Sequence, residues 1–571
     1  MGEPALPEGA CITADIPDAT VTRLGEIVIN PYRLAPLTAV IRDGGQTLMD
    51  ARVRIVGKVD SGVNIDYPVS NSALWTHGGI PLFGLYPDYA NKVEVAYTLN
   101  GERTRERYTV YAPPIRLPAV PNQTGSSIPR VEPVAVASQL KRRLYLFNHL
   151  ARIPGNSRLL KWNTPQGGAL EWDTVGINWI ADSQGEVRWY LDIEQIHDST
   201  TKDGTGATMG FQQTRDGRII FGQGQRYYKI DLLGRTIWAR TLPSKFADFS
   251  HEIRETTKGT YVLRVAAADY RRNDGTQTRT VRDHIIEINA DGDVLDFWDL
   301  GSILDPYRDP LLHTLGPVAI FLPKGAKKTD SLAENEKLEG EGLPFGDIPG
   351  VGVGRNWAHV NSIAYDPKDD SIIISARHQG VVKIGRDKHV KWILADPHGW
   401  PSQLVDKVLT PVDVQGQPLV RSENGTYTSN FDWSWTQHTA WISGRGTLTV
   451  FDNGWGRQLS PTKLEGNYSR AVEYRIDEEK RTVEQVWEFG KERGDDWYSP
   501  ITSVVEYRKD TDTQVIYSAS IAFLTREKLV RPVLSEVKYG TQEVLAEYRL
   551  YSHQPGNVGY RALVVDLENA F

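Results

Sequence analysis

Three short segments place a histidine where an imidazole could do chemistry. Asp432-Trp433-Ser434-Trp435-Thr436-Gln437-His438-Thr439-Ala440-Trp441 frames His438 with three tryptophans. Phe249-Ser250-His251-Glu252-Ile253 and Asn356-Trp357-Ala358-His359-Val360-Asn361-Ser362-Ile363 carry His251 and His359 in similar company. A shielded imidazole is largely neutral near pH 7 and can serve as nucleophile, general base or metal ligand. Taken singly, each could equally be a core histidine of an aromatic-rich β protein. Two further polar residues stand beside them. Arg377 ends the apolar run Ser371-Ile372-Ile373-Ile374-Ser375-Ala376, and Asn361 shares a strand face with His359. Together these residues would make a donor-rich, cationic pocket suited to a tetrahedral oxyanion, sulfate or phosphate. Three imidazoles around one axis could instead hold Zn²⁺ with an open fourth position, giving a hydrolase or lyase. A permanent cation at Arg377 disfavours that arrangement.

A repeat must position these residues. Six hairpins have a turn followed by a strand ending in an aromatic: Asp182–Trp189, Asp231–Trp238, Asn289–Trp298, Arg386–Trp392, Asp477–Trp487 and Tyr539–Tyr548. With two further strands upstream of each, the units predict a six-bladed β-propeller, with one aromatic per blade filling the gap between sheets. The strand Tyr560–Leu567 could return to the first blade and close the ring. Uneven spacing places long insertions at about 301–352, 393–431 and 454–468, with a short helix possible at Asp330–Lys337. Aligned by first strand, His251, His359 and His438 open three consecutive blades and so face one mouth of the central channel. The other nine of the 12 histidines show no such phase, so core packing does not explain the set. A non-catalytic propeller scaffold would leave the phase unexplained.

Composition narrows the classes further. The 571 residues include 16 Trp, 25 Tyr and 51 Gly, as expected of an all-β chain. Net charge is -7, from 65 basic and 72 acidic residues, against a nucleic-acid binder. There is no apolar run long enough to span a bilayer, no glycine-rich phosphate loop and no nucleotide fingerprint, so no cofactor is implied. Carboxylates are not paired as glycosidase chemistry needs. The single cysteine, Cys11, allows no intrachain disulfide.

Residues 1–111 predict a small β-sandwich. Lys92–Leu99 alternates, Asn100-Gly101 is a tight hairpin turn, and Tyr108–Tyr111 returns. The Gly- and aromatic-rich stretch Trp75–Tyr86 suggests an exposed loop that docks on something, or a plain turn region. Residues 112–133 carry six prolines and are expected to be a semi-rigid linker, leaving 134–571 for the propeller.

The motifs Ser250-His251-Glu252, His359-Val360-Asn361-Ser362, Ala376-Arg377-His378 and Asp432–His438, with Trp497-Tyr498-Ser499-Pro500-Ile501-Thr502, closely resemble the bacterial arylsulfate sulfotransferases that work without phosphoadenosine phosphosulfate. The resemblance covers nearly the whole chain. It implies a six-bladed propeller with an N-terminal β-sandwich, a homodimer, and a periplasmic location with any signal peptide already removed. It implies transfer of a sulfuryl group from a phenolic sulfate donor to an acceptor phenol. His438 would be the nucleophile and pass through a sulfohistidine. Arg377 and Asn361 would hold sulfuryl oxygens, His251 and His359 would stabilise charge or pass a proton, and Thr502 would line the rim. Trp433, Trp435 and Phe211 could stack on the phenol ring or simply pack the blades. Some relatives carry a cysteine pair in the loop before the catalytic blade, and Asp406–Gly425 here has none.

Overall fold

A computed structural model describes residues 23–59, 62–117, 128–152, 174–196, 208–247, 249–268, 280–308, 357–423, 425–459, 466–524, 529–552 and 557–571. Cys11 and the possible helix at Asp330–Lys337 lie outside the described residues.

Alternation builds the N-terminal part. Leu48–Ile55 buries Ala51, Val53 and Ile55 while Arg52 and Arg54 face water. That strand pairs with Ile65–Val69 and Tyr89–Leu99, and Glu102–Ala112 completes a four-stranded sheet. A three-stranded sheet of Ile27–Ile29, Thr38–Arg42 and Gly79–Phe83 forms the second layer. The hairpin turns as expected: Leu99 pairs with Glu102, and Asn100 and Gly101 take φ of 53° and 82°. Two positive φ values match the turn to the twist of the strands. The stretch from Trp75 is not an exposed loop. Ser70 caps a short helix, Asn71–His77, by accepting the Ala73 N–H at 3.1 Å, and Gly78 ends it at φ 59°. Gly79–Phe83 then enters the sheet fully buried. Its apolar content outweighed its glycines, and of the stretch's aromatics only Trp75 is exposed, at 86%.

Six sheets of four or five strands follow, and in blades two to six the chain enters the main run of each sheet at its inner edge. The inner strands of blades two to six are Thr208–Gln213, Ile253–Glu255, Val360–Asp366, His438–Ile442 and Val504–Arg508. The C-terminal strand Val558–Val564 pairs with Leu144–Arg152 and supplies the inner strand of blade one, closing the ring. Two segments expected as loop or linker add strands at the outer edge. Arg130–Val136 pairs with Val544–Tyr551 in blade six, and Thr410–Pro411 runs parallel to the last strand of blade five. Pro133 has no N–H to donate, which an outermost strand tolerates.

The six repeat aromatics are all buried: Trp189, Trp238, Trp298, Trp392, Trp487 and Tyr548. In alternate blades the indole also reaches the next blade's turn. Trp189, Trp298 and Trp487 donate Nε1–H to the carbonyls of Leu232, Gly385 and Thr541. One residue therefore supplies both apolar burial and a specific polar link between sheets. The N-terminal sheets dock on the ring through Arg188, which is 0% exposed and donates to Gly84 O and Val63 O while paired with Asp182 at 2.7 Å. Phe571 packs against Tyr67 and Phe83 on the same side. Among the described residues no helix is long and apolar enough to cross a membrane.

Candidate active site

The three phased histidines stand at the starts of the inner strands of blades three, four and five. His251 and His359 stand edge to face with ring centroids 5.0 Å apart. Both have positive φ, 69° and 50°, and positive φ recurs nearby at Thr436, Thr439 and Thr502. A β-branched residue there is strained, and such strain persists only where surrounding bonds enforce it. Thr436 is held that way: its Oγ1 donates to Trp435 O and accepts the Trp455 N–H.

His438 opens the inner strand of blade five and is buried. Its Nδ1 lies 2.7 Å from Asn453 Oδ1. The Asn453 amide nitrogen donates to Ser499 O at 2.7 Å and Thr502 O at 3.1 Å, so the oxygen must face the imidazole as acceptor. Nδ1 therefore carries the proton. Nε2 keeps its lone pair, which accepts the Thr502 backbone N–H at 3.2 Å. Burial first, and then the charge of Arg377, holds the imidazole well below its ordinary pKa, and it is neutral at pH 7. The ring is thus fixed in the tautomer that leaves the lone pair on Nε2.

Arg377 is 2% exposed and bridges three blades. Its terminal nitrogens donate to Thr436 O and Pro500 O, both at 3.1 Å. Nε has no hydrogen-bond partner among the described residues. Burial pulls its pKa down to about 10, which still leaves a full positive charge at pH 7. Asn361 turns its amide to Gln437 O at 2.7 Å, tying blade four to the residue before His438. His251 Nδ1 contacts Ser250 Oγ at 2.7 Å, which also receives Arg264. All six predicted residues, His438, His251, His359, Arg377, Asn361 and Thr502, therefore belong to one connected cluster. Thr502 enters through its main-chain N–H, since its hydroxyl donates to Ile501 O.

The tryptophans beside His438 pack. Trp433 is 1% exposed and stands edge-on to Phe431 at 4.9 Å. The Trp435 backbone N–H bonds Asp452 Oδ1. Asp452 also pairs with Arg470 and Arg457, and Arg457 reaches Asp432, so a buried ion network clamps the segment leading to His438. Phe211 is buried and stacks on Phe221 of the adjoining strand at 4.9 Å. Asn453 and His378 were not singled out by the histidine phase. Both follow the second strand of their blade, as Arg377 does, and the sequence offers polar groups at those strand ends: Ala376-Arg377-His378 in blade four and Asp452–Arg457 in blade five. Among the described residues no three His, Cys, Asp or Glu side chains are arranged to hold a metal ion.

Two family models cover most of the chain. The arylsulfotransferase model matches residues 130–561, and the arylsulfotransferase Ig-like domain matches residues 26–113. An arylsulfate sulfotransferase of Escherichia coli O6:H1 is 44% identical over 566 residues, covering 96% of this chain and 94% of that protein. One from Lelliottia amnigena is 43% identical over 579 residues, covering 99% and 96%. With both models and both relatives spanning sandwich and propeller alike, the chain belongs to the arylsulfotransferase family of enzymes.

Proposed function

We propose that this protein transfers a sulfuryl group from a phenolic sulfate ester to an acceptor phenol, in two steps, through a sulfohistidine on His438. Family membership supports aryl sulfotransfer. The carrying observation for the covalent route is the His438 ring: its Nδ1–H is bound to Asn453, which leaves the lone pair on Nε2, where it accepts the Thr502 main-chain N–H, and the charge of Arg377 lies close by. Nε2 attacks sulfur as the S–O bond breaks, and the electron pair leaves on the phenolate oxygen. The acceptor phenolate then attacks the same sulfur from the side the donor left, and the N–S pair returns to Nε2. Charge on the sulfuryl oxygens is met by Arg377, through its buried positive charge and its Nε–H, and by the Thr502 main-chain N–H once it releases Nε2. His251 and His359 face the transferred group from the neighbouring blades, and Asn361 anchors the strand end at Gln437.

The test uses a donor without acceptor. Brief treatment with nitrophenyl sulfate should leave a sulfuryl adduct on His438 by peptide mass spectrometry. His438→Asn should lose transfer while keeping its circular dichroism spectrum. Substantial turnover by that variant would exclude the covalent route. The resemblance further supports a periplasmic homodimer. Cell fractionation and sedimentation equilibrium check these points, and a cytoplasmic monomer would refute both.

A further inference from the structure

His378 follows Arg377 in the turn after the second strand of blade four and is 4% exposed. Neither Nδ1 nor Nε2 has a hydrogen-bond partner among the described residues. The ring stands edge-on to His359 with centroids 5.6 Å apart. Burial, with the charge of Arg377 behind it, keeps the imidazole well below its ordinary pKa and hence neutral. A neutral imidazole has one N–H and one lone pair, and burying both without partners is unfavourable. Phenylalanine would pack a similar volume without that cost. The polar atoms around it share the condition. Arg377 Nε, Asn361 Oδ1 and the Tyr498 hydroxyl are also buried without hydrogen-bond partners among the described residues. The unused donors of His378 and Arg377, adjacent residues that interact electrostatically with His438, lie beside the proposed nucleophile and are free to meet the substrate.

We propose that His378 is a substrate-contact residue whose ring N–H donates to the bridging oxygen of the aryl sulfate. This rests on the sulfotransfer reading above. As His438 Nε2 bonds to sulfur, the S–O bond breaks and its electron pair stays on that oxygen. The N–H of His378 meets the growing negative charge without giving up its proton. The acceptor phenolate makes the same contact on entering. A neutral donor suits this place, because a second cation beside Arg377 would be repelled, and a neutral imidazole can still polarise oxygen in a dry site. The terminal nitrogens of Arg377 each give one N–H to a carbonyl, Thr436 O and Pro500 O, which pins the guanidinium to the main chain of the neighbouring blades.

A hydrogen bond to the departing oxygen matters most when that oxygen is basic. Donor-only bursts are measured with 4-nitrophenyl sulfate and with unsubstituted phenyl sulfate, with the His438 adduct quantified by mass spectrometry. His378→Phe should slow adduct formation by about 100-fold with phenyl sulfate and by less than about 10-fold with the nitrophenyl ester, in the range for loss of one charge-stabilising donor. His378→Gln, which keeps an N–H, should recover most of the phenyl sulfate rate. Equal slowing with both donors would overturn the proposal, because a packing defect does not sense leaving-group basicity. If His378→Phe does not fold, His378→Met is read on the same two donors with the same criteria. Absence of an adduct in the parent protein would instead refute the covalent reading itself, so the two failures are distinguishable.

Discussion

Replacing Asn453 with alanine should slow sulfuryl uptake by about 100-fold while changing donor affinity only a few-fold. Asn453 Oδ1 is the acceptor for Nδ1–H of His438, at 2.7 Å in a buried site. Alanine removes that acceptor, so the ring no longer gains from keeping its proton on Nδ1. A buried hydrogen bond of this kind, with the penalty of an unpaired donor, is about 2–3 kcal/mol. At about 1.4 kcal/mol per tenfold, that bias is roughly 30- to 150-fold in the population of the nucleophilic tautomer. Loss of the Asn453 amide also leaves Thr502 O without its donor, while Ser499 O keeps the Ser469 hydroxyl, so the Thr502 N–H that faces Nε2 loosens as well. Stability should fall by about 2–5 kcal/mol from the buried partners left behind. The assay is the nitrophenol burst under single-turnover conditions, below the unfolding temperature of the variant. A burst within about threefold of the parent, from a folded Asn453→Ala protein, would refute the tautomer argument.

Three further outcomes are expected. Because His438 is held well below its ordinary pKa, the burst rate should stay flat from about pH 8 to pH 6, and a midpoint near the ordinary histidine value of about 6.5 would contradict the burial argument. His77 and His149 are buried with pKa lowered to about 4, so the folded state binds fewer protons than the unfolded state between there and about 6.5. Their contribution is fully present above the unfolded value and is lost as pH falls through this window, by up to about 3 kcal/mol for each group. Guanidinium midpoints at pH 7 and pH 5 should show the loss, and His149→Gln should reduce the difference between them. Arg561 pairs with Glu252 at 2.9 Å, with the two side chains 1% and 0% exposed, and it also donates to Asn361 O. Arg561→Met should cost about 3–5 kcal/mol by stranding a buried carboxylate, and adding Glu252→Gln should recover part of it; no loss in the single variant would show that the pair is not needed.

Much of the fold was legible because its signals are local. Alternation in Lys92–Leu99 and the Asn100-Gly101 turn specify a hairpin whatever surrounds them. The turn-to-aromatic unit recurs because every blade faces the same packing problem, so counting units counted blades. Edge strands were less legible. Arg130–Val136 and Thr410–Pro411 pair on one side only, and a strand half exposed to solvent is weakly specified by its own residues. Trp75–Tyr86 misled because its glycines cap and join elements rather than open a loop.

The histidine phase and the motif resemblance were carried by sequence alone, since a residue's place in a repeat survives without coordinates. They grouped His251, His359 and His438 and set Arg377 and Asn361 beside them. Only the tertiary structure decided what each polar atom faces. Asn453 and Thr502 are 15 and 64 residues from His438 in the chain, yet they hold its two ring nitrogens. Side-chain and main-chain hydrogen bonds between blades depend on how neighbouring strands are staggered, and no local pattern encodes that stagger. The same packing sets Trp433, Trp435 and Phe211 among buried neighbours, a placement that aromatic identity in the sequence does not reveal.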